Sequence, residues 1–512
     1  MNNNQETNRD SSSSDASDRA RFEIYYPPFE GAVEAGVGSV MCSYNLINGT
    51  YSCENEHTLG GHLKSDLGFA GWVMSDWGAT HSSSILEGLD QEMPGGDYFG
   101  PALTALVASG AVPEAAVNAS AGRVLLPMFT LGVFEAASPW GETPNVDATS
   151  VAHTQLAEEL CAASHVLVQN NGDLLPLAGG ALASPPPAAS EASSGGKADG
   201  TKVGAFKIAI LGYGAEWPVV AGGGSGSVFP GSNVESPRAA LLAALGIEDT
   251  WGGPGPCQGD GNRTEGWGWS QWGCESFHAD DADDCEAKCG AYYACAFWTF
   301  NGGGCTFYPT DRYPRPKPGA TSGGCVQDKP PATWMCGGPA GEQCVAFAEG
   351  TGEGGPDVAA GLAAEADVAV VVLAQFGKEG TDRDSLGFAQ QQNQQCDVVP
   401  SGQDELVDAV AATGTPTVVA ATCAGACLTP WRDRVSAILL SVGMPGQGYG
   451  PALASLLTGA RSPRGRLPVT LPNADNEVGF TRAEYPGVRD PSDPKGYPHV
   501  HYDEGLLVDY RW

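Results

Sequence analysis

The sequence predicts an α/β protein of two domains, the second interrupted by a small cysteine-rich module. Three observations carry that prediction. Between residues 28 and 134, short apolar strands end in polar tips and alternate with helices. From 206 to 443, four nearly continuous apolar, β-branched runs alternate with helical patterns. Nine of the 15 cysteines fall between Cys257 and Cys344, inside that second pattern.

The elements follow in order. Residues 1–20, "MNNNQETNRDSSSSDASDRA", are polar and lack the apolar core of a signal peptide, so they read as a disordered N-terminus. In 21–134, "VGSVMCSYN" (37–45) is a buried strand with a polar end, and "HTLGGHLKSDLG" a helix closed by Gly68. "GWVMSDW" and "GLDQEMPG" (88–95) are two further short strands. "PEAAVNASAGRVLLPMFTLGVF" is a helix with Pro113 in its first turn. Strand, polar tip and helix in repetition mark a parallel sheet, whose functional groups gather at the carboxyl ends of strands. Residues 135–150 are a linker, and 151–512 form the second domain. Within it, 178–201 is rich in Ala, Ser, Pro and Gly and reads as a flexible loop. "FKIAILG" (206–212), "DVAVVVLA" (367–374), "TPTVVAATC" (415–423) and "VSAILLSVG" (435–443) are strands of a sheet covered on both faces. The insert spans about 255–345.

Composition narrows the function. Of 512 residues, 42% are hydrophobic and 17% charged, which fits a globular chain. A formal net charge of −34 argues against nucleic acid or an anionic membrane as partner. No stretch is long and apolar enough to span a membrane. Clustered cysteines without metal-ligand spacing favour disulfides and an oxidising compartment, either extracellular or an endomembrane lumen, although no signal peptide is visible at this start. Glycosylation sequons at Asn48, Asn118 and Asn262 agree with that. His499, His501 and Asp503 could suggest a metal site, but in a Pro/Gly-rich segment they read as solvated loop residues; no metal is predicted.

Asp76 sits at the end of the Trp72–Met74 apolar run with Trp77 directly after it. A carboxylate at the mouth of a parallel sheet beside an aromatic suits attack on a sugar carbon. Glycoside hydrolysis needs two carboxyl groups flanking one bond, and an indole offers a flat face for a sugar ring.

"PPFEGAVEAGVGSVMCSYNLINGTYSCEN", followed by "LKSDLGFAGWVMSDWGATHSSSILEGLDQEMPG", resembles the later part of the barrel domain of family 3 glycoside hydrolases, nearest to the fungal-type β-glucosidases. The resemblance implies the C-terminal part of a (β/α)8 TIM-type barrel (the last three βα units), then an α/β sandwich domain. It implies Asp76 as nucleophile, with Met41, Tyr44 and Trp77 at the glucose subsite and a Cys42–Cys53 disulfide. "GGGSGSV" (222–228) resembles the family's loop over the barrel mouth and implies sugar contact by Ser225. "AQFGKEGTDRDSL" (374–386) resembles its acid/base segment and implies Glu379 as general acid/base, with Asp382 and Arg383 pairing to fix the loop. "GMPGQGYGPALASLLTGARSPRGRLPVTLP" and "YDEGLLVDYRW" match segments expected to be architectural. "DCEAKCGAYYACAFWTFNGGGCTFYP" is similar to the PAN/apple fold, a small disulfide-rich α+β module that would bind carbohydrate or protein.

The expected function is a retaining, exo-acting β-glucosidase that needs no cofactor and acts on β-glucosides of oligo- or polysaccharides. A β-xylosidase or exo-β-glucanase, and a non-catalytic carbohydrate- or protein-binding chain, are the alternatives. A full barrel takes roughly 200–250 residues. Only about 110 precede the linker, so the expectation is a truncated barrel with weak stability and little or no activity.

Overall fold

The computed structural model describes residues 5–135, 149–177, 205–226, 228, 234–250, 332–337, 343–351, 354–388 and 399–511. It also describes the backbone of 258–259, 264–269, 275–278, 297–301, 304–308 and 314–326. The chain divides into two compact units, Met1–Ala148 with Val478–Trp512, and Thr149–Glu477. The expected 151–512 domain is therefore shorter, because its last 35 residues fold with the N-terminal unit.

In the first unit, the strands Ser39–Cys42 and Trp72–Ser75 pair in parallel, with Met41 opposite Met74 and Cys42 opposite Ser75. The helix His57–Asp66 connects them, burying Leu59 and Leu63 against Val73, Phe69 and Leu89. No closed barrel forms among the described residues. The strand expected at 88–95 is reduced to one bridge, Met74 to Gln91. Asp90 explains why: its carboxylate is spent on Val73 N (2.9 Å), Lys64 Nζ (2.6 Å), Ser120 Oγ (2.7 Å) and Arg123 Nη1 (3.3 Å). That one buried acid ties the Trp72–Ser75 strand to both flanking helices, His57–Asp66 and Glu114–Thr130. Pro113 caps the second helix from just outside rather than lying in its first turn.

The polar N-terminus is not disordered over the residues described. Ser13–Asp15 is a strand between Pro498–His501 and Leu46–Ile47, and Ser12, Ser13 and Ser14 are buried. Small hydroxyl side chains tolerate burial when bonded, as Ser13 Oγ is to the Gly49 amide (2.8 Å). His499 lies in the Pro498–His501 strand, with Nδ1 2.6 Å from Asp15 Oδ2, and is no solvated loop residue. Cys42 and Cys53 are joined, as are Cys336–Cys344 and Cys423–Cys427. Asn48 Oδ1 accepts from Ala16 N (3.0 Å) and its Nδ2 donates to Ala16 O (3.1 Å), so this amide holds a turn. Asn118 lies mid-helix, and its sequon's Ser120 is buried on Asp90.

The second unit is a seven-stranded sheet. Its order is Met335–Gly337, Gln343–Ala348, Phe206–Leu211, Val368–Ala374, Thr417–Cys423, Ala437–Val442 and Val166–Asn170. The central strands are parallel and the two outermost pairings antiparallel. Residues alternate between two cores: Ile208, Val370 and Leu439 face one, Ala209, Val371 and Ile438 the other. The helices Val151–Ser164, Pro237–Leu245 and Tyr449–Thr458 cover the first face, and Gly355–Ala364 and Gln403–Ala411 the second. Burial on both sides is why these runs lack polar alternation.

The insert ends earlier than expected, since Met335–Gly337 and Gln343–Ala348 belong to this sheet and Cys336–Cys344 closes their hairpin. Its described strands form an antiparallel sheet in which Phe297–Asn301 lies between Gly304–Tyr308 and Pro314–Val326. Asn262, the cysteine pairings from Cys257 to Cys325, most of the linker expected at 135–150 and the loop expected at 178–201 lie outside the described residues.

Candidate active site

In-register parallel pairing delivers both polar tips of the first unit to one edge. Asp76 follows the Trp72–Ser75 strand, and its amide donates to the Cys42 carbonyl (3.1 Å), so Tyr44 and Asp76 leave the sheet together. The Tyr44 hydroxyl donates to Asp76 Oδ1 (3.0 Å) and to the Trp77 carbonyl (3.1 Å). The Trp77 amide also donates to Asp76 Oδ1 (2.7 Å). Both donors fall on one oxygen, which fixes the carboxylate plane and leaves Oδ2 without a hydrogen bond to the described residues. Asp76 is half-buried, while the Trp77 ring is 55% exposed and Met41 51% exposed. These are open apolar faces beside a fixed carboxylate.

The sequence reading missed Arg9. Its guanidinium lies 4.7 Å from the Tyr44 ring centroid, held by Glu6 (2.9 Å). A cation over that face contributes about 0.5–1 kcal/mol at an exposed site. The signal was the charge pattern Glu6, Arg9, Asp10 within a segment taken as disordered.

In the second unit, Glu379 follows the buried Val368–Ala374 strand and is half-buried. Its Oε2 accepts from the Ser225 backbone amide (2.9 Å), so Ser225 meets the carboxylate through its main chain. The two loops are laced together by Gly223 N to Gly377 O (3.1 Å) and Glu379 N to Gly223 O (3.4 Å). Gln375 folds the following segment back, donating to the Leu386 and Gly387 carbonyls (each 2.7 Å). Arg383 donates to Gln375 Oε1 (2.7 Å) and the Ala426 carbonyl (2.9 Å), bracing that loop. Glu379 lines a cleft of about 580 Å³ with Val220, Gly223, Lys378, Met444 and Gly446. The "GMPGQG" segment, read as architectural, thus contributes a wall; its glycine-rich turn was the available signal.

Cys161 is a buried free thiol, pushed up to about 12 by burial, and inert as a nucleophile. Among the described residues no cluster of His, Cys, Asp and Glu is arranged to hold a metal. No helix of the described residues is long and apolar enough to cross a membrane.

Residues 165–510 match the glycosyl hydrolase family 3 C-terminal domain, and 4–126 match the family's N-terminal domain. The chain belongs to glycosyl hydrolase family 3. Within that family, it is 31% identical to a β-glucosidase of Rhizobium radiobacter, over 99% of this chain and 64% of that protein. It is 43% identical to a probable β-glucosidase L of Emericella nidulans, over 34% of this chain and 26% of that one. The crystal structure of DesR, a β-glucosidase from Streptomyces venezuelae in complex with D-glucose, covers all of this chain with a TM-score of 0.66 and 27% identity. This chain covers 63% of that structure. A family 3 β-glucosidase from Bifidobacterium adolescentis gives 0.64 and 25% identity, over 99% of this chain and 55% of its own. The chain thus spans at most about two thirds of these relatives.

Proposed function

We propose that this chain carries the catalytic carboxyl pair of a retaining β-glucosidase, with Asp76 as nucleophile and Glu379 as general acid/base. The observation that carries the reading is the Asp76 carboxylate, held on one oxygen by Tyr44 and Trp77 at a strand end beside an exposed indole. In the first step Asp76 Oδ2 attacks the anomeric carbon while Glu379 gives its proton to the departing glycosidic oxygen. In the second, Glu379 takes a proton from water, which displaces Asp76 from the glycosyl-enzyme ester. The Ser225 amide on Glu379 Oε2 helps to orient the carboxyl. Met41, Tyr44 and Trp77 supply the sugar-facing surface. No cofactor enters either step. The disulfides support a secreted or lumenal protein.

The test is hydrolysis of an aryl β-D-glucoside by the purified chain. Asp76→Asn is expected to lower kcat by about 10³-fold or more. Glu379→Gln should lose about 10²–10⁴-fold on substrates with poor leaving groups, and azide should restore turnover of an activated one. Proton NMR should show the β-anomer of glucose as first product. Undiminished turnover in either variant sinks the assignment. Faster release of xylose from the matching aryl β-D-xyloside than of glucose moves it to the xylosidase reading. Glucan binding without turnover, unaltered by Asp76→Asn, moves it to the binding reading.

A further inference from the structure

The loop that begins at Asp76 ends at an aromatic stack that none of the chemistry above uses. Near the acid it is pinned by Ala79 N to Asp76 O (3.0 Å) and Gly78 N to Met93 O (3.0 Å). Ala79 and Thr80 are buried, and His81 then emerges at the surface. Its ring lies on Tyr51, with centroids 3.6 Å apart and planes 18° from parallel. Tyr51 is itself buried and donates its hydroxyl to that of Tyr497 (2.8 Å). The Lys495 ammonium faces both tyrosine rings, 5.3 and 5.6 Å from their centroids. A single column of rings therefore runs from the C-terminal segment, through the turn that precedes Cys53, to the far end of the Asp76 loop.

We propose that His81 is a positioning residue for Asp76 and Trp77, holding their loop in register through its stack on Tyr51 and the Tyr51–Tyr497 bond. The inference rests on the glycosidase reading for its kinetic consequence, though not for its geometry. The physical ground is the loop's economy. Trp77 has an exposed ring, and among the described residues its own amide and carbonyl are bonded to Asp76 and Tyr44 alone. The segment's far end is held by the His81 stack together with the Ser83 hydroxyl on the Tyr98 carbonyl (2.7 Å), so losing the stack loosens the turn and lets the carboxylate shift. Displacement of a reacting group by about 1 Å costs up to roughly 10²-fold in rate. Burial pushes the His81 imidazole below its ordinary range, although Glu54 and Asp10 pull it up and Lys495 pushes it further down. Phenylalanine offers a flat ring to the same Tyr51 face, so it tests the stack without the imidazole nitrogens.

The experiment compares His81→Ala, His81→Phe and Tyr497→Phe in the full chain. The readouts are kcat and KM on an aryl β-glucoside, and the Trp77 indole resonance assigned by Trp77→Phe. His81→Ala is expected to lower kcat about ten-fold with KM held within about two-fold, and to move or broaden the Trp77 resonance. His81→Phe should restore both. Tyr497→Phe, which removes one hydroxyl and keeps the ring, should move the resonance in the same direction by less. An unmoved Trp77 resonance in both His81→Ala and Tyr497→Phe overturns the proposal, as does a kcat loss that His81→Phe fails to recover. If the unaltered chain releases no glucose, the glycosidase reading falls alone and the Trp77 resonance decides this one.

Discussion

Gly224 shows how a residue with no side chain sets the geometry of one that has chemistry. Its φ is +72°, a conformation other residues adopt at a cost, and a Cβ there would fall 2.6 Å from Glu379 Cβ. Glycine lets the loop press onto the stem of the acid so that the next amide, Ser225 N, reaches Oε2. Gly224→Ala is expected to push Glu379 off that amide and lower kcat about 10- to 100-fold. Thermal unfolding should shift by only a few degrees, since the position is exposed; unchanged kcat at matched stability would refute this. At this scale the sequence was informative where motifs are contiguous. Asp76, Tyr44, Trp77 and Glu379 sit in contiguous runs, and the roles proposed for them rest on the order of those runs. Arg9 and His81 do not, because their partners, Tyr44 and Tyr51, are brought to them by folding rather than by spacing.

Elements were legible to the extent that their hydrophobic pattern was unambiguous. The four buried strands of the second unit fall within two residues of their expected ends at each terminus, because continuous β-branched runs leave few other options. The strand expected at 88–95 failed for a specific reason. Asp90 occupies its middle and takes the Val73 amide with its side chain, which removes a donor that a neighbouring strand would need. Asp90 also has two cations on it, Lys64 and Arg123, its own side chain being almost wholly buried. Burial pushes the Lys64 ammonium below its usual range and the Asp90 contact opposes that. Breaking a buried pair by removing one partner costs about 3–5 kcal/mol. Asp90→Ala is therefore expected to destabilise the first unit by about that amount, read as a lower urea midpoint of its transition. A change under about 1 kcal/mol would mean that the network is solvated.

For the whole molecule, chain order and folding units part company. Asp15 and His499 are 484 residues apart, yet their strands pair and their side chains meet at 2.6 Å, with Asp493 3.6 Å from the other ring nitrogen. Desolvation works against the charged imidazole. The hydrogen bonds to Asp15 and Asp493, with Asp490 nearby, outweigh it and raise His499 above its ordinary value. The sign follows: a group with a raised folded pKa contributes stability that is complete below the unfolded value near 6.5 and is lost as pH climbs through the folded one. The melting temperature of the first unit should exceed that of His499→Gln by more at pH 5.5 than at pH 8.5. An equal or reversed difference would rule out a charged clasp.

The sequence by itself determined the α/β class and the two-faced sheet, and it singled out the two carboxyl groups proposed for catalysis, since these depend on local periodicity and on residues that are neighbours in the chain. The tertiary structure alone decided that residues 5–20 are ordered, that 478–512 complete the first unit, and that the Tyr44 hydroxyl meets Asp76 and the Ser225 amide meets Glu379. Those outcomes depend on contacts between distant segments, whose strength comes from burial and hydrogen bonding in a particular packed arrangement, and no window of sequence contains both partners.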